Sequence, residues 1–577
     1  MDIRDLNAAV VEITAPGQPY EMTEVTVNGA AARVFKQAPE NLRELYESSL
    51  VHDQQDFYVY LDERYSFAAM WSMAARVAAA LDARGYTSGD RIGIAARNYP
   101  EWLFAYMGIT SLGCVAVALN AWWSGEELAY GITDSGAGLV FVDGERLERL
   151  LPLLSSEKEE FGVELVTLRA DAPAGVVSWE EFLGAGPRMT ESQTQMTQVV
   201  VAADEIATIL YTSGSTARPK GVQLTHRGII HAVLGWECGA AIAVHLNPDL
   251  LDPNPEFPPA MILTVPMFHV AGLNVQFMSS FRSGRKLVGM YKWDPERALE
   301  IIQDERITQF NGVPTMSWEL IQSPNFDNYD LRSLKGAGGG GAAMAPEHAR
   351  QIDERLPAGV AGTGWGMTET NGLGTSISGP DFLERPRSCG RPIPPLVDIK
   401  VVDEDDREVA RGQTGELWIS GAMNFTGYWN RPEATAETLT DGWVRTGDVG
   451  HMDEQGFVFI TDRAKDMVIR GGENIACQEV EAAIYEHPAV SECAVFGLPD
   501  ERLGETLAAV VMHKPGHPID GEELRAYVAE HLARFKVPEH VWVQAEQLPR
   551  IASGKIFKRS LRDDAIVRLN LSNGSPV

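Results

Sequence analysis

Hydrophobic and polar positions along this chain follow two rhythms that trade places many times. Residues 66–84, SFAAMWSMAARVAAALDAR, carry apolar side chains at helical spacing and stop before Gly85, which predicts a helix. Residues 91–96, RIGIAA, are a short apolar run and predict a buried strand. Asn98-Tyr99-Pro100 opens a predicted helix that runs to about Leu112. Further apolar runs predict strands over 115–119, 139–143, 164–168, 206–212, 260–266 and 286–290. Strands that alternate with helices predict a largely parallel sheet covered by helices.

Past about residue 385 the pattern shortens. Runs at 397–403, 415–421 and 456–462, separated by turns, predict an antiparallel β section. From Arg463 a third texture begins: helix, strand, strand and an amphipathic helix in GEELRAYVAEHLARF. The predicted class is α/β. A large N-terminal domain over 1–462 combines parallel α/β subdomains with a β section, and a smaller α+β domain spans 463–577. The first 45 residues are mixed and turn-rich and read as an extension, with a short helix predicted near residues 42–50. Residues 237–258, ECGAAIAVHLNPDLLDPNPEFP, read as an inserted surface loop or as a lid over a ligand pocket.

At 577 residues the chain has room for roughly four structural units. With 45% apolar and 22% charged residues it is an ordinary globular composition, which excludes global disorder. Forty-nine basic against 80 acidic residues give a net charge of −31. Such a field repels nucleic acid and anionic lipid at long range, while a local pocket remains free to bind a small anion. Five cysteines without a CxxC pair argue against a disulfide framework and a structural zinc site. The acidic start MDIRDLNAAVVEIT does not resemble a signal peptide. Apolar stretches such as residues 107–119 fall short of a membrane span of about 20 residues, so a cytoplasmic protein is expected.

The segment Tyr211-Thr212-Ser213-Gly214-Ser215-Thr216-Ala217-Arg218-Pro219-Lys220-Gly221 changes the picture most. It follows a predicted strand and packs hydroxyls, glycines and one lysine into a single loop. Small residues let backbone N–H groups approach a phosphate, hydroxyls donate to its oxygens, and Lys220 supplies a cation. The spacing is not that of a Walker A loop.

This loop resembles the signature [YF]-T-S-G-[ST]-T-G-x-P-K-G of the acyl-adenylating superfamily, which includes acyl- and aryl-CoA synthetases, peptide-synthetase adenylation domains and beetle luciferases. Ala217 stands where the family has glycine. Further segments resemble the family in its order: Met267-Phe268-His269, Gly364-Trp365-Gly366-Met367-Thr368-Glu369, Thr446-Gly447-Asp448, Asp462-Arg463-Ala464-Lys465-Asp466, Gly471-Gly472-Glu473-Asn474-Ile475 and Pro549-Arg550-Ile551-Ala552-Ser553-Gly554-Lys555. The resemblance covers residues 55–562.

It implies ATP, Mg²⁺ and coenzyme A as co-substrates and cofactors, with a mobile C-terminal domain. Thr212, Ser213, Gly214, Ser215, Thr216 and Lys220 would hold the β and γ phosphates. Thr368 would contact the α-phosphate and Glu369 would ligate Mg²⁺. Trp365 and Gly366, with Gly341 and Ala342, would line the adenine site. Asp448 would accept both ribose hydroxyls, and Arg463 would add a ribose or phosphate contact. Lys555 would bridge the acyl carboxylate and the α-phosphate. Lys465 would be the hinge between the domains, and Gly471, Gly472 and Glu473 would line the pantetheine tunnel. His269 is either packed or shapes the acyl pocket or thiol entrance.

Val313, Gly338 and Gly339 are the expected acyl-pocket wall. It carries no basic partner for a second carboxylate and no aspartate for an α-amine. That favours a monocarboxylic acid with an apolar body, and because Asn98 to Trp102 and Asn120-Ala121-Trp122-Trp123 resemble fatty acyl-CoA synthetases, the resemblance implies a medium- or long-chain fatty acid. An aryl or steroid side-chain acid, loading of a separate carrier protein, and a luciferase-like oxygenase are the alternatives. A monomer or homodimer is expected.

Overall fold

In the computed structural model of the chain, residues 2–156, 162–184, 195–212, 218–250, 255–342, 344–356, 360–463, 467–470, 473–500, 502–551 and 554–569 are described. Four large sheets organise them, together with a small hairpin. The first sheet has eight strands in the spatial order 427–428, 220–225, 206–212, 115–118, 91–95, 139–143, 164–168 and 177–178. From 206–212 outward to 177–178 every pairing is parallel. On the other flank 220–225 and 427–428 are antiparallel. Strands Val115–Ala118 and Leu139–Asp143 are buried at every position. Burial on both faces explains why these segments read as unbroken apolar runs without alternation.

The second sheet has nine strands in the order 391–392, 375–378, 361–365, 336–340, 309–312, 260–263, 286–289, 56–60 and 63–66. Its middle is parallel. A third, antiparallel sheet uses 398–402, 415–420, 443–452, 439–440 and 458–463. The fourth joins 468–470, 473–475, 490–500, 504–513 and 540–544, with helices Cys477–Tyr485, Gly521–His531 and Lys558–Arg568. The predicted class and the order of textures along the chain therefore match the fold.

Three readings change. The first 45 residues, read as a turn-rich extension, carry a helix and a hairpin that join the main fold. Asp2 caps a helix over Ile3–Ile13, and residues Met22–Val27 and Ala30–Phe35 form a hairpin. Leu6, Val10 and Ile13 lie on one helix face and pack against the main core.

Residues 237–246 are not an inserted loop but the last turns of a 21-residue helix, His226–Leu246. Glu12 reaches its end at His245, 3.2 Å away. This helix is long and apolar enough to cross a membrane, with a mean hydropathy of 1.5, and half of its apolar window is buried inside the protein. A core helix of a folded domain passes the same length test.

The glycine run around Gly338 and Gly339, expected as pocket wall, is the strand Gly336–Gly340 in the second sheet. A Cβ at Gly338 would stand 3.0 Å from the Gly362 carbonyl oxygen, so glycine permits the close approach of neighbouring strands.

Candidate active site

The second and third sheets and the small C-terminal unit meet at a cavity of about 150 Å³. Its wall includes Gly341, Ala342, Trp365, Gly366, Asp448 and Lys555. These residues come from the end of one central strand of the second sheet, the turn after the next, the third sheet and the small C-terminal unit. The sequence separates them by more than 200 positions, and the fold collects them.

Each has a local reason for its place. Asp448 lies in the long strand Trp443–Met452 just after a turn with Gly447 at φ +69°. The Thr446 hydroxyl donates to the Leu417 carbonyl at 2.6 Å and accepts the Asp448 amide at 3.1 Å. The Asp448 carboxylate is buried and accepts the Trp365 indole N–H at 2.8 Å. Arg463 pairs opposite Asp448 in the sheet register. Lys555 enters from the C-terminal loop: a side chain at Gly341 would meet its Cε at 3.2 Å.

The turn after Trp365 is tight. A Cβ at Gly366 would come within 2.4 Å of the Gly372 carbonyl oxygen, so only glycine fits there. Thr368 and Glu369 follow in a short 3₁₀ turn closed by Asn371 at φ +53°. Asn371 is fully buried, donates to the Met423 carbonyl at 2.7 Å and accepts from Asn274 at 2.8 Å.

Glu369 is buried and doubly held by the segment that leads to the edge strand 427–428. Its carbonyl accepts the Phe425 amide at 2.7 Å, and its carboxylate accepts the Tyr428 hydroxyl at 2.6 Å. Burial first, and the neighbouring Glu369 charge second, push the Tyr428 hydroxyl well above its ordinary pKa, so it stays a donor. The Lys220 ammonium lies 5.0 Å from the centre of the same ring. Tyr428 thus connects Lys220 with the Glu369 carboxylate, although the sequence reading passed over it and Asn371. The signal was present in Gly427-Tyr428 and in an Asn-Gly pair after Glu369-Thr370, but neither residue type announces a contact.

Thr212 ends the strand Ile206–Thr212 and Lys220 begins the strand Lys220–Thr225. Ser213, Gly214, Ser215 and Thr216 lie outside the described residues, as do Ala217, Lys465, Gly471 and Gly472. Glu473 opens a short strand paired with Arg470. Val313, Gly338 and Gly339 do not line the cavity. Val313 instead faces the C-terminal loop, where a Cβ at Gly554 would stand 2.9 Å from its Cγ2.

His269 sits against the Phe268 ring. Its Nε2 is buried without a hydrogen-bond partner among the described residues. Burial, then the charge of nearby Lys555, push its pKa down to about 4, so the ring is neutral at ordinary pH. Asn98 fixes the backbone in front of it, accepting the Met267 amide at 3.0 Å and donating to the Val265 carbonyl at 3.1 Å.

Among the described residues there is no cluster of three His, Cys, Asp or Glu side chains able to hold a metal. A single hard carboxylate at Glu369 suits Mg²⁺, which takes one or two carboxylates and fills its shell with phosphate oxygens and water.

Known proteins share this chain's sequence pattern and fold. The sequence profile described as AMP-binding enzyme matches residues 47–429, and that described as AMP-binding enzyme C-terminal domain matches residues 479–555. The long-chain-fatty-acid–CoA ligase of Bacillus subtilis (strain 168) is 31% identical over 535 residues, covering 87% of this chain and 90% of that protein. The feruloyl-CoA synthase of Amycolatopsis sp is 34% identical over 497 residues, covering 86% and 93%. The solved Mycobacterium tuberculosis fatty acyl CoA synthetase is 29% identical, with a TM-score of 0.67, and the match covers 92% of this chain and 99% of that one. With both profiles matched in order and relatives aligned along most of their length, this chain belongs to the AMP-binding enzyme family.

Proposed function

We propose that this protein is an ATP-dependent carboxylic acid–CoA ligase that works through an acyl-AMP intermediate. The observation that carries the reading is the approach of Lys555 to Gly341 in the cavity that also holds Asp448 and Trp365. A carboxylate is a poor electrophile at neutral pH. Adenylation makes its carbon attackable, and the thiol of CoA then displaces AMP. Carboxylate and triphosphate repel each other, so the site's first task is to place positive charge between them.

In this reading Lys555 orients the acyl carboxylate against the α-phosphate. Lys220 and the loop from Thr212 hold the outer phosphates, and Thr368 contacts the α-phosphate. Asp448 and Arg463 orient the ribose, while Trp365, Gly366, Gly341 and Ala342 bound the adenine. Glu369 would hold Mg²⁺, which supplies charge neutralisation of the phosphates when bound. His269, neutral and beside Lys555, shapes the acyl end of the site. Lys465 is the proposed hinge between domains 1–462 and 463–577, and Gly471, Gly472 and Glu473 line the thiol's path after Lys555 withdraws.

For the acid we infer a medium- or long-chain fatty acid. The fatty-acid ligases among the relatives support it, while the feruloyl-CoA synthase keeps aryl acids within the same test. That test is pyrophosphate release across fatty, aromatic and steroid side-chain acids, with and without CoA, with product masses. A CoA thioester of a fatty acid is expected. Pyrophosphate without a thioester overturns CoA as the acceptor. Lys555→Ala is expected to abolish acyl-AMP formation and to spare thioester formation from supplied acyl-AMP. Equal loss of both overturns the role given to Lys555.

A further inference from the structure

If the two half-reactions use different domain orientations, something in the first orientation must hold the Lys555 loop in place. The helix Pro314–Gln322 carries Glu319 toward that loop from the large domain. Its carboxylate is fixed on its own side, where Oε2 accepts the Trp293 indole N–H at 2.6 Å. Oε1 reaches across: it accepts Gln547 Nε2 at 2.9 Å and faces Arg550 Nη2 at 3.5 Å. Arg550 in turn donates from Nη1 to the Gly554 carbonyl at 2.8 Å. The Ile551 amide donates to the Lys555 carbonyl at 2.9 Å, and Arg550 bridges Ile556 across the same turn. Arg550 therefore grips both strands of the turn that presents Lys555.

We propose that Glu319 is a positioning residue, a latch on the large domain that seats the Lys555 loop for adenylation and lets go for thiolation. The proposal rests on the ligase reading above. The latch is built to release. Arg550 also pairs with Glu492 within the small unit, so its charge stays compensated when the loop leaves. Glu319 keeps the Trp293 bond. At the other end of the loop a Cβ at Gly554 would stand 2.9 Å from Val313 Cγ2, so the turn lies close against the large domain. Glu319 is not part of the cavity wall; it acts through Gln547 and Arg550.

The test separates the half-reactions in three variants: Glu319→Ala, Glu319→Gln and Gln547→Ala. Glu319→Ala removes a charge-assisted contact, so pyrophosphate release from acid and ATP is expected to slow by about tenfold. Thioester formation from supplied acyl-AMP and CoA is expected to stay at or above the wild-type rate. Glu319→Gln keeps a single acceptor oxygen, for either the Trp293 or the Gln547 donor, and loses the charge, so it should fall between wild type and alanine. Gln547→Ala, at an exposed position, should give a smaller loss in adenylation alone. It decides the matter if Glu319→Ala does not fold. Equal slowing of both half-reactions, or unchanged adenylation in Glu319→Ala and Gln547→Ala, overturns the latch. Wild-type protein that releases no pyrophosphate overturns the ligase reading instead.

Discussion

Tyr428 carries more of the site than its sequence position suggests. It donates to Glu369 at 2.6 Å, and the Lys220 ammonium rests on its ring. Lys220, Glu369, Asp448 and Lys555 were singled out because each stands in a segment that resembles a motif of the acyl-adenylating superfamily. Tyr428 and Asn371 were not, because their work is defined by partners 59 and 52 positions away. Tyr428→Phe keeps the ring under Lys220 and deletes only the hydroxyl. Losing a hydrogen bond to a charged group costs about 1.5–3 kcal/mol. The Mg²⁺ concentration needed for half-maximal ATP binding, read by titration calorimetry, should therefore rise at least roughly tenfold. An unchanged midpoint would detach Tyr428 from the Glu369 site.

Elements were easier to read where their burial is uniform. Strands such as Leu139–Asp143 match their expected limits because an all-buried strand is an apolar run bounded by polar residues. The N-terminal helix Ile3–Ile13 was missed because its apolar face makes sense only with the core it covers. Residues 237–246, read as part of an inserted loop or lid, are the end of the helix His226–Leu246, which stops at Asn247-Pro248. The turn after Ala361–Trp365 is the element on which the site depends most. Gly366→Ala places a methyl 2.4 Å from a backbone oxygen, and neither backbone can yield without moving Thr368 and Glu369. It should cost more than about 1 kcal/mol in denaturant unfolding and weaken ATP binding together. Gly336→Ala is the matched control, since a Cβ there meets nothing closer than 4.0 Å, and it should stay within about 0.5 kcal/mol.

Across the whole molecule the net charge of −31 contrasts with a site whose anchors include Lys220 and Lys555. The local cations, not the global field, must draw in the anionic substrates. Acid should weaken the fold through a different set of groups. Burial pushes the pKa of His226 down to about 3 and those of His231, His269 and His348 to about 4, from an ordinary 6.5. A depressed histidine pKa means that the unfolded chain binds the proton first. The stability is thus fully present above 6.5 and is lost as pH falls from there toward 4. Each such group adds a slope of about 1.4 kcal/mol per pH unit inside its window. His226 gives the mechanism a concrete form: its Nδ1 accepts the Leu42 amide at 3.1 Å, and a protonated Nδ1 cannot accept. Urea midpoints measured at constant ionic strength should therefore fall steadily below about pH 6.5. His226→Gln, although less stable at pH 7, should show a shallower fall, by about one proton's worth of slope. An equal slope in both proteins would move the acid sensitivity away from His226 and onto the carboxylate pairs of the surface.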